Sequence, residues 1–383
     1  VTLSLRASFV FFVFAACVFA LAYVRADRSS GTWTGAVSAR SNYYWERSTR
    51  VVAPVVHAEI DTPGGVRIQG EYLLDLITSA SVGAGLIADV RFTERRHDGS
   101  LGFGYEWDLG EAKLLTTLGG RLSVEPDYTS YSGNFAAQLS LNDRATVLSF
   151  STNIMHDDVG RVLRGSDRSM DGRNLSNRGQ VGKLDHFFFS VGWTQLITPR
   201  LLFELGYDLG YLNGFQANPY RMVPVAGVSM AERHPEERIR HTVYGRLAYF
   251  FPTTRTAVHL VYRAYVDSWD IAALTPELRV FQEIGDFATF RMRYRLYTQS
   301  KASFQRNPAD YALGDALYTA DPKMTAFHSH LLGGQVMLRL DFLDGSPLEF
   351  ASKSTIDFSF DYLWNTNRFG NGVIAQMGVR VPF

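Results

Sequence analysis

The 383-residue chain carries 38 basic and 38 acidic side chains and no formal net charge, which excludes nucleic acid as a partner held by bulk electrostatics. Its one cysteine, Cys17, lies in a leader read below as cleaved, so the mature chain has no disulfide, no Cys-x-x-Cys redox pair and no haem-attachment motif. The excess is aromatic, with 27 Phe and 19 Tyr beside 33 Gly, and beyond residue 26 no apolar run is long enough for a transmembrane helix.

The chain opens with Arg6 as its only early charge, then an uncharged apolar run from Ala7 to Val24. Val24-Arg25-Ala26 closes the run with residues suited to a signal peptidase, so cleavage is expected after Ala26. A permanent anchor is the competing reading. Phe14-Ala15-Ala16-Cys17 loosely resembles a lipoprotein box, but the apolar run continues past Cys17 where a lipoprotein turns polar. The expected division is a signal peptide at 1–26, a short N-terminal segment at 27–34 and one domain at 35–383.

That domain alternates apolar and polar residues along its length, the mark of two-faced strands. Sixteen strands are predicted, near 35–45, 48–60, 65–77, 92–108, 112–125, 129–142, 145–157, 184–197, 200–213, 240–251, 255–269, 272–284, 287–300, 327–342, 354–367 and 372–383. In the fourth, Leu101, Phe103, Tyr105, Trp107 and Leu109 alternate with Gly102, Gly104, Glu106 and Asp108. In the thirteenth, Phe290, Met292, Tyr294 and Leu296 alternate with Arg291, Arg293 and Arg295. The fifteenth sets Ile356, Phe358, Phe360, Tyr362 and Trp364 against Asp357, Ser359 and Asp361. Strands of a soluble sandwich are usually about five or six residues long. These are about twice that, the length a tilted strand needs to cross a bilayer.

The connections alternate as well. Thr62-Pro63-Gly64-Gly65, Leu109-Gly110, Asn142-Asp143-Arg144, Thr198-Pro199, Pro252-Thr253-Thr254 and Ile284-Gly285-Asp286 are tight, with a longer exception around Asp344-Gly345-Ser346-Pro347. The long ones, near 78–91, 158–183, 214–239 and 301–326, all fall on the other side. The fold class predicted is therefore all-β: a transmembrane antiparallel up-and-down barrel of about sixteen strands, with short periplasmic turns, long extracellular loops and both termini in the periplasm. An apolar alternation finishing at Phe383 resembles the terminal signal that barrel-assembly machinery reads. Outer-membrane lipid, lipopolysaccharide and that machinery are the expected partners, and the cell outer membrane is the expected location.

Several stretches resemble an uncharacterised family of bacterial outer-membrane barrels, domain of unknown function 3570. They are Tyr43-Tyr44 with Thr49-x-Val51-x-x-Pro54, then Tyr72-Leu73-x-Asp75, and His156-Asp157-Asp158-Val159-Gly160-Arg161. Further on come Gly214-Phe215-Gln216-x-x-Pro219-Tyr220-Arg221, Glu232-Arg233-His234-Pro235 and Arg295-x-Tyr297-Thr298-Gln299-Ser300. The resemblance implies an outer-membrane barrel but no particular activity. The family's genes often lie beside those for flavinyl transferases and thioredoxin-like proteins, which implies an extracytoplasmic redox setting and a periplasmic partner protein.

The inward faces are polar. Glu106, Asp108, Arg263, Asp357 and Asp361 are candidate lumen residues, and Arg291, Arg293 and Arg295 form a charge ladder suited to guiding anions through a constriction. The competing reading pairs these charges with each other and with a loop folded into the lumen. At the rim, His156, Asp157 and Asp158, with Asp75, Asp89 and His97-Asp98, are candidate ligands for a divalent cation. No cofactor is otherwise required. Structural anchoring of the loop is the plainer reading of this cluster, and water activation by His156 and nearby acids the most demanding. The run Glu232-Arg233-His234-Pro235-Glu236-Glu237-Arg238-Ile239-Arg240 reads as a solvated surface or a contact with lipopolysaccharide phosphates, with a partner-binding loop as the sharper reading. Trp107, Trp193, Trp269 and Trp364 read as membrane-interface girdles. A channel or conduit for small polar or ionic solutes is the expected function. The alternatives are a plugged scaffold that binds a partner and, third, a rim hydrolase.

Overall fold

The computed structural model describes residues 33–47, 49–79, 92–162 and 178–383. The leader, Cys17 and Asp89 lie outside them. Eighteen strands occupy the described residues: β1 (Thr34–Glu46), β2 (Thr49–Asp61), β3 (Val66–Ser79), β4 (Phe92–Asp108), β5 (Ala112–Val124), β6 (Tyr128–Leu141), β7 (Thr146–Val162), β8 (Arg178–Thr198), β9 (Leu201–Gly214), β10 (Met222–Val225), β11 (Val228–Ala231), β12 (Glu237–Phe251), β13 (Thr256–Asp267), β14 (Ala272–Ile284), β15 (Ala288–Gln299), β16 (Phe327–Arg339), β17 (Thr355–Asn365) and β18 (Gly372–Pro382). All but β10 and β11 form one closed antiparallel barrel of sixteen strands in chain order.

Closure is made by β1 on β18, in register from Ala36 opposite Pro382 to Glu46 opposite Gly372. Gly35 and Phe383 extend it, each amide donating to the other's carbonyl at 3.0 and 2.9 Å. Closure matters because an open sheet edge in lipid would leave backbone donors and acceptors unsatisfied.

Alternation decides which face meets lipid. Leu101, Phe103, Trp107, Leu118, Ile154, Leu260, Phe358 and Met377 are all exposed on the outer surface, whereas Ser359 and Asp361 are buried on the inner one. Trp107, Trp193 and Trp364 project outward as expected. Trp269 does not: it is 3% exposed, packed with Ile271, Ala302 and Met324 in the connections above the strands. The outer face also carries three Tyr–His hydrogen bonds, Tyr72 to His97 at 2.8 Å, Tyr207 to His241 at 2.8 Å and Tyr294 to His330 at 2.7 Å, and a ring contact of Tyr131 with His156.

The long loops add structure that strand periodicity does not reveal. Residues 215–236 contain the hairpin β10–β11, turned at Ala226 (φ 48°) and Gly227 (φ 82°). Two successive residues at positive φ give the turn whose twist matches a two-residue hairpin. Val223, Val225, Tyr311 and Tyr318 form a buried cluster between this hairpin and residues 301–326. The two loops thus share a small core of their own and form a fixed roof on the extracellular side of the barrel.

Candidate functional site: lumen wall and extracellular chamber

Inside the barrel the ion pairs run along the wall. Arg246 meets Glu204 on the adjacent strand at 2.5 Å, Arg67 meets Asp61 at 2.6 Å, and Arg279 meets Glu277 on its own strand at 2.5 Å. Lys113 holds Glu106 at 3.3 Å, and Asp75 and Asp98 pair with Arg96 and Arg121. Three pairs step over one intervening strand: Arg293 to Asp361 at 2.5 Å, Arg40 to Asp357 at 3.5 Å and Arg380 to Glu59 at 2.7 Å. Gly333 makes the first of these geometrically accessible, because a Cβ there would lie 1.6 Å from Asp361 Oδ1. Gly378 does the same beneath Asp357, at 2.6 Å. Among the described residues, no ion pair joins opposite walls of the barrel.

The predicted ladder therefore divides. Arg293 is neutralised by Asp361, as the pairing alternative anticipated. Arg291 and Arg295, two residues to either side, make no ion pair or hydrogen bond among the described residues, and the Nε of Arg291 is buried without a partner. Arg263 is likewise unpaired, its guanidinium 5.9 Å from the ring centre of Tyr244. Of the other candidates, Glu106 serves Lys113 and Arg144 near the periplasmic turn. Asp108 caps that turn, accepting from the Gly110 amide at 2.9 Å. Asp357 accepts from Gln335 at 3.1 Å as well as from Arg40.

The rim cluster also divides, by the same period of two. Asp157 faces inward at 1% exposure, accepting from Tyr128 and meeting His186 Nε2 at 2.7 Å. His156 and Asp158 face outward, with His156 Nδ1 2.5 Å from Asp185. Asp75 sits on β3, held by Arg96. Among the described residues no three His, Cys, Asp or Glu side chains converge in a metal-holding group. Consecutive residues of a strand cannot serve one centre because their side chains leave opposite faces.

The charge run 232–240 departs most from expectation. Only part of it is solvated: Arg233, Glu236 and Glu237 are exposed, whereas Glu232, His234 and Arg238 are buried. Glu232 is the hub of the roof. It accepts from Arg221 Nη1 at 3.0 Å, Thr319 Oγ1 at 2.5 Å, the Ala320 amide at 3.1 Å and the Asn218 amide at 3.3 Å. His234 Nε2 stands 3.4 Å away, and its Nδ1 donates to the Gln216 carbonyl at 3.2 Å. Arg221 also pairs with Asp321 at 2.7 Å. Burial by itself would raise the Glu232 carboxyl, but the His234 contact, the Arg221 charge and the Thr319 hydroxyl hold its pKa down at about 2. Arg238 binds Asp267 and stacks on Trp269 at 4.0 Å. Sequence signals for this network were present in Gly-Phe-Gln-x-x-Pro-Tyr-Arg and Glu-Arg-His-Pro, but their meeting with Thr319 and Asp321 was not.

Beneath and beside the roof lie two cavities that share Thr49 and Arg221. The smaller, about 430 Å³, is acidic, with Glu94, Glu125 and Asp127 in its lining. Burial, and the carboxylates of Asp127 and Asp75, push Glu125 above its ordinary value against the pull of Arg96. The larger, about 1130 Å³, is lined by Arg221, Arg240, Arg263, Arg295 and Lys323 against Glu46 and Asp208. Residues 215–221 line the smaller cavity and reach the larger through Arg221, and Tyr220 ties that segment to Asp127 on the β5–β6 turn. The extracellular side thus holds two cavities of opposite charge.

With this architecture described, the family match is direct: the sequence model of the proteins of unknown function DUF3570 matches residues 78–379. The chain belongs to this family. Its fold is a closed sixteen-stranded transmembrane β-barrel, as resemblance and periodicity anticipated. No curated protein matches it. Among solved structures it is similar to the siderophore receptor PirA from Pseudomonas aeruginosa, at 12% identity and TM-score 0.44, covering 92% of this chain and 62% of that one. It is similar to OccK1 (OpdK) of Pseudomonas aeruginosa at 9% identity and TM-score 0.43, covering 92% and 98%. A loop-deletion mutant of OmpT, an outer membrane protein of Vibrio cholerae, gives 9% identity and TM-score 0.42 over 93% and 100%. This DUF3570 chain spans under two thirds of the receptor's length, and likeness at these values says nothing about what the barrel takes.

Proposed function

We propose that this barrel is a conduit for small polar or ionic solutes across the outer membrane. The observation that carries the reading is the layout of the ion pairs: they lie along the wall, so charge neutralisation does not close the bore. A barrel of sixteen strands is wide enough to hold water, and unpaired guanidiniums such as Arg291 and Arg295 are tolerable only where water or an ion solvates them. The test is single-channel recording of the refolded barrel in a planar bilayer. Steady openings support the conduit; a correctly folded but silent barrel overturns it.

One observation favours a second reading. The two-loop roof has its own buried core and also exposes Val228 and Leu313, which suits a capped barrel that presents a docking surface to another protein. Removing residues 222–231 distinguishes the two: a conduit conducts more freely without part of its roof, whereas a capped scaffold loses its partner and stays silent.

A further inference from the structure

We propose that the wall formed by β12 to β15 is a recognition path for small organic carboxylates, stepped by Arg240, Arg263, Arg295 and Arg291. This rests on the conduit reading and names its solute class. The strand registers set the order. Arg240 stands opposite Asp267 near the extracellular end of β12, and Arg263 lies four residues further down β13. Arg295 is opposite Glu277, which is itself opposite Val261, two residues below Arg263. Arg291 follows four residues lower on β15, opposite Phe281. At about 3.3 Å per residue the steps are roughly 7 to 13 Å along the strand, within reach of successive long side chains.

Among the described residues these four arginines make no ion pair, unlike Arg40, Arg67, Arg121, Arg246, Arg279, Arg293 and Arg380 on the same inner face. The acids in register with them are paired elsewhere, Glu277 with Arg279, Asp361 with Arg293 and Asp267 with Arg238; Asp208, hydrogen-bonded to Ser190 at 2.6 Å, keeps its charge in the same chamber, where the guanidiniums outnumber it. The Nε atoms of Arg240 and Arg291 are buried without a partner. A guanidinium presents a planar fork of donors that fits a carboxylate bidentately, so an entering carboxylate supplies what the wall omits. The acidic cavity lined by residues 215–221 repels the same anion and directs it to the basic side. An organic anion fits better than a bare inorganic one because aromatic groups accompany the charges. Phe188, Tyr265, Tyr297 and Phe369 line the chamber that holds Arg240, Arg263 and Arg295, and its volume of about 1130 Å³ exceeds what a hydrated chloride needs.

A unit charge about 6 Å from a permeating ion in water, screened at 0.1 M salt, alters the local ion concentration about twofold, in opposite senses for anion and cation. Each arginine neutralised therefore lowers the anion-to-cation permeability ratio about two- to fourfold. The experiment records reversal potentials in a potassium chloride gradient, and block of the chloride current by potassium benzoate, for the wild type, Arg263→Gln, Arg295→Gln and the periplasmic-turn control Arg144→Gln. Anion selectivity and benzoate block that both weaken in the first two variants and not in the control are expected. Cation selectivity, or selectivity indifferent to Arg263 and Arg295, overturns the path. Block by inorganic phosphate equal to that by benzoate overturns the organic-carboxylate assignment. Should the barrel be silent, the conduit reading falls on its own. Calorimetric titration of the detergent-solubilised barrel with benzoate then decides the path separately: heat abolished by Arg263→Gln sustains it, and no heat overturns it.

Discussion

Replacing Glu232 by Gln should release the extracellular roof while leaving the barrel intact. The Glu232 side chain is fully buried and takes donors from both roof loops, Arg221 and Asn218 on one and Thr319 and Ala320 on the other. Its pKa of about 2, against 4.5 for a free glutamate, measures how much the roof favours the carboxylate. At 1.36 kcal/mol per unit this is about 3 kcal/mol, an order-of-magnitude figure. Because the folded value is the lower one, this stabilisation is fully present above pH 4.5. It fades as acid protonates the carboxyl and is gone once the pH falls below about 2. A loss of about 3 kcal/mol multiplies the open population of the roof by roughly a hundred. Two measurements read this: limited trypsin digestion at Arg221, Arg233, Arg306 and Lys323, and hydrogen exchange of the Asn218 and Ala320 amides. Both should accelerate about a hundredfold in Glu232→Gln at neutral pH, and the wild type should approach the variant as the pH is lowered from 4.5 toward 2. Folded-barrel migration on gels should be unchanged, because the barrel's backbone ladder is independent of the roof. Cleavage and exchange within a factor of three of wild type would refute the assignment of Glu232 as the hub.

Gly333→Val should destabilise the barrel by roughly 3–5 kcal/mol, since it drives Asp361 off Arg293 and leaves a buried charge unpaired; urea unfolding in detergent reads it, with Gly99→Ala, where a Cβ meets nothing within 4 Å, as the silent comparison. Tyr220→Phe removes the hydroxyl that donates to Asp127 and should weaken the tether by about 1.5–3 kcal/mol, seen as faster cleavage after Arg221 with unchanged barrel stability. The double substitution of His156 by Ala and Asp158 by Asn should leave conductance and reversal potential as they were, because both side chains face outward; a changed conductance would mean that the rim cluster acts on the bore.

Much of this molecule is written in its period of two. Alternation such as Phe358, Phe360 and Trp364 against Ser359 and Asp361 forces a sheet with one face for lipid and one for water. Sixteen strands of that length, joined by turns that alternate short and long, leave closure as the way to satisfy both edges. Each predicted barrel strand therefore has its counterpart in the fold, and the inward sense of Arg263, Arg291, Arg293, Arg295, Asp357 and Asp361 follows from parity alone. Parity also carried the means to separate Asp157 from His156 and Asp158, although their adjacency in the sequence drew them together as one rim cluster.

What parity cannot supply is partnership. Whether Arg293 is neutralised and Arg295 is not depends on the register of β15, β16 and β17, which sets Gly333 between Arg293 and Asp361 and leaves Glu277 to Arg279. The same limit hid the roof. Glu232, His234 and Trp269 read as surface or interface residues because nothing local marks them as buried. Their burial comes from Thr319 and Met324, which arrive from a loop more than fifty residues away. Local sequence sets the face on which a side chain leaves a strand, because that is a property of one backbone. Only the tertiary structure decides which charges remain uncompensated, because that is a property of several strands at once.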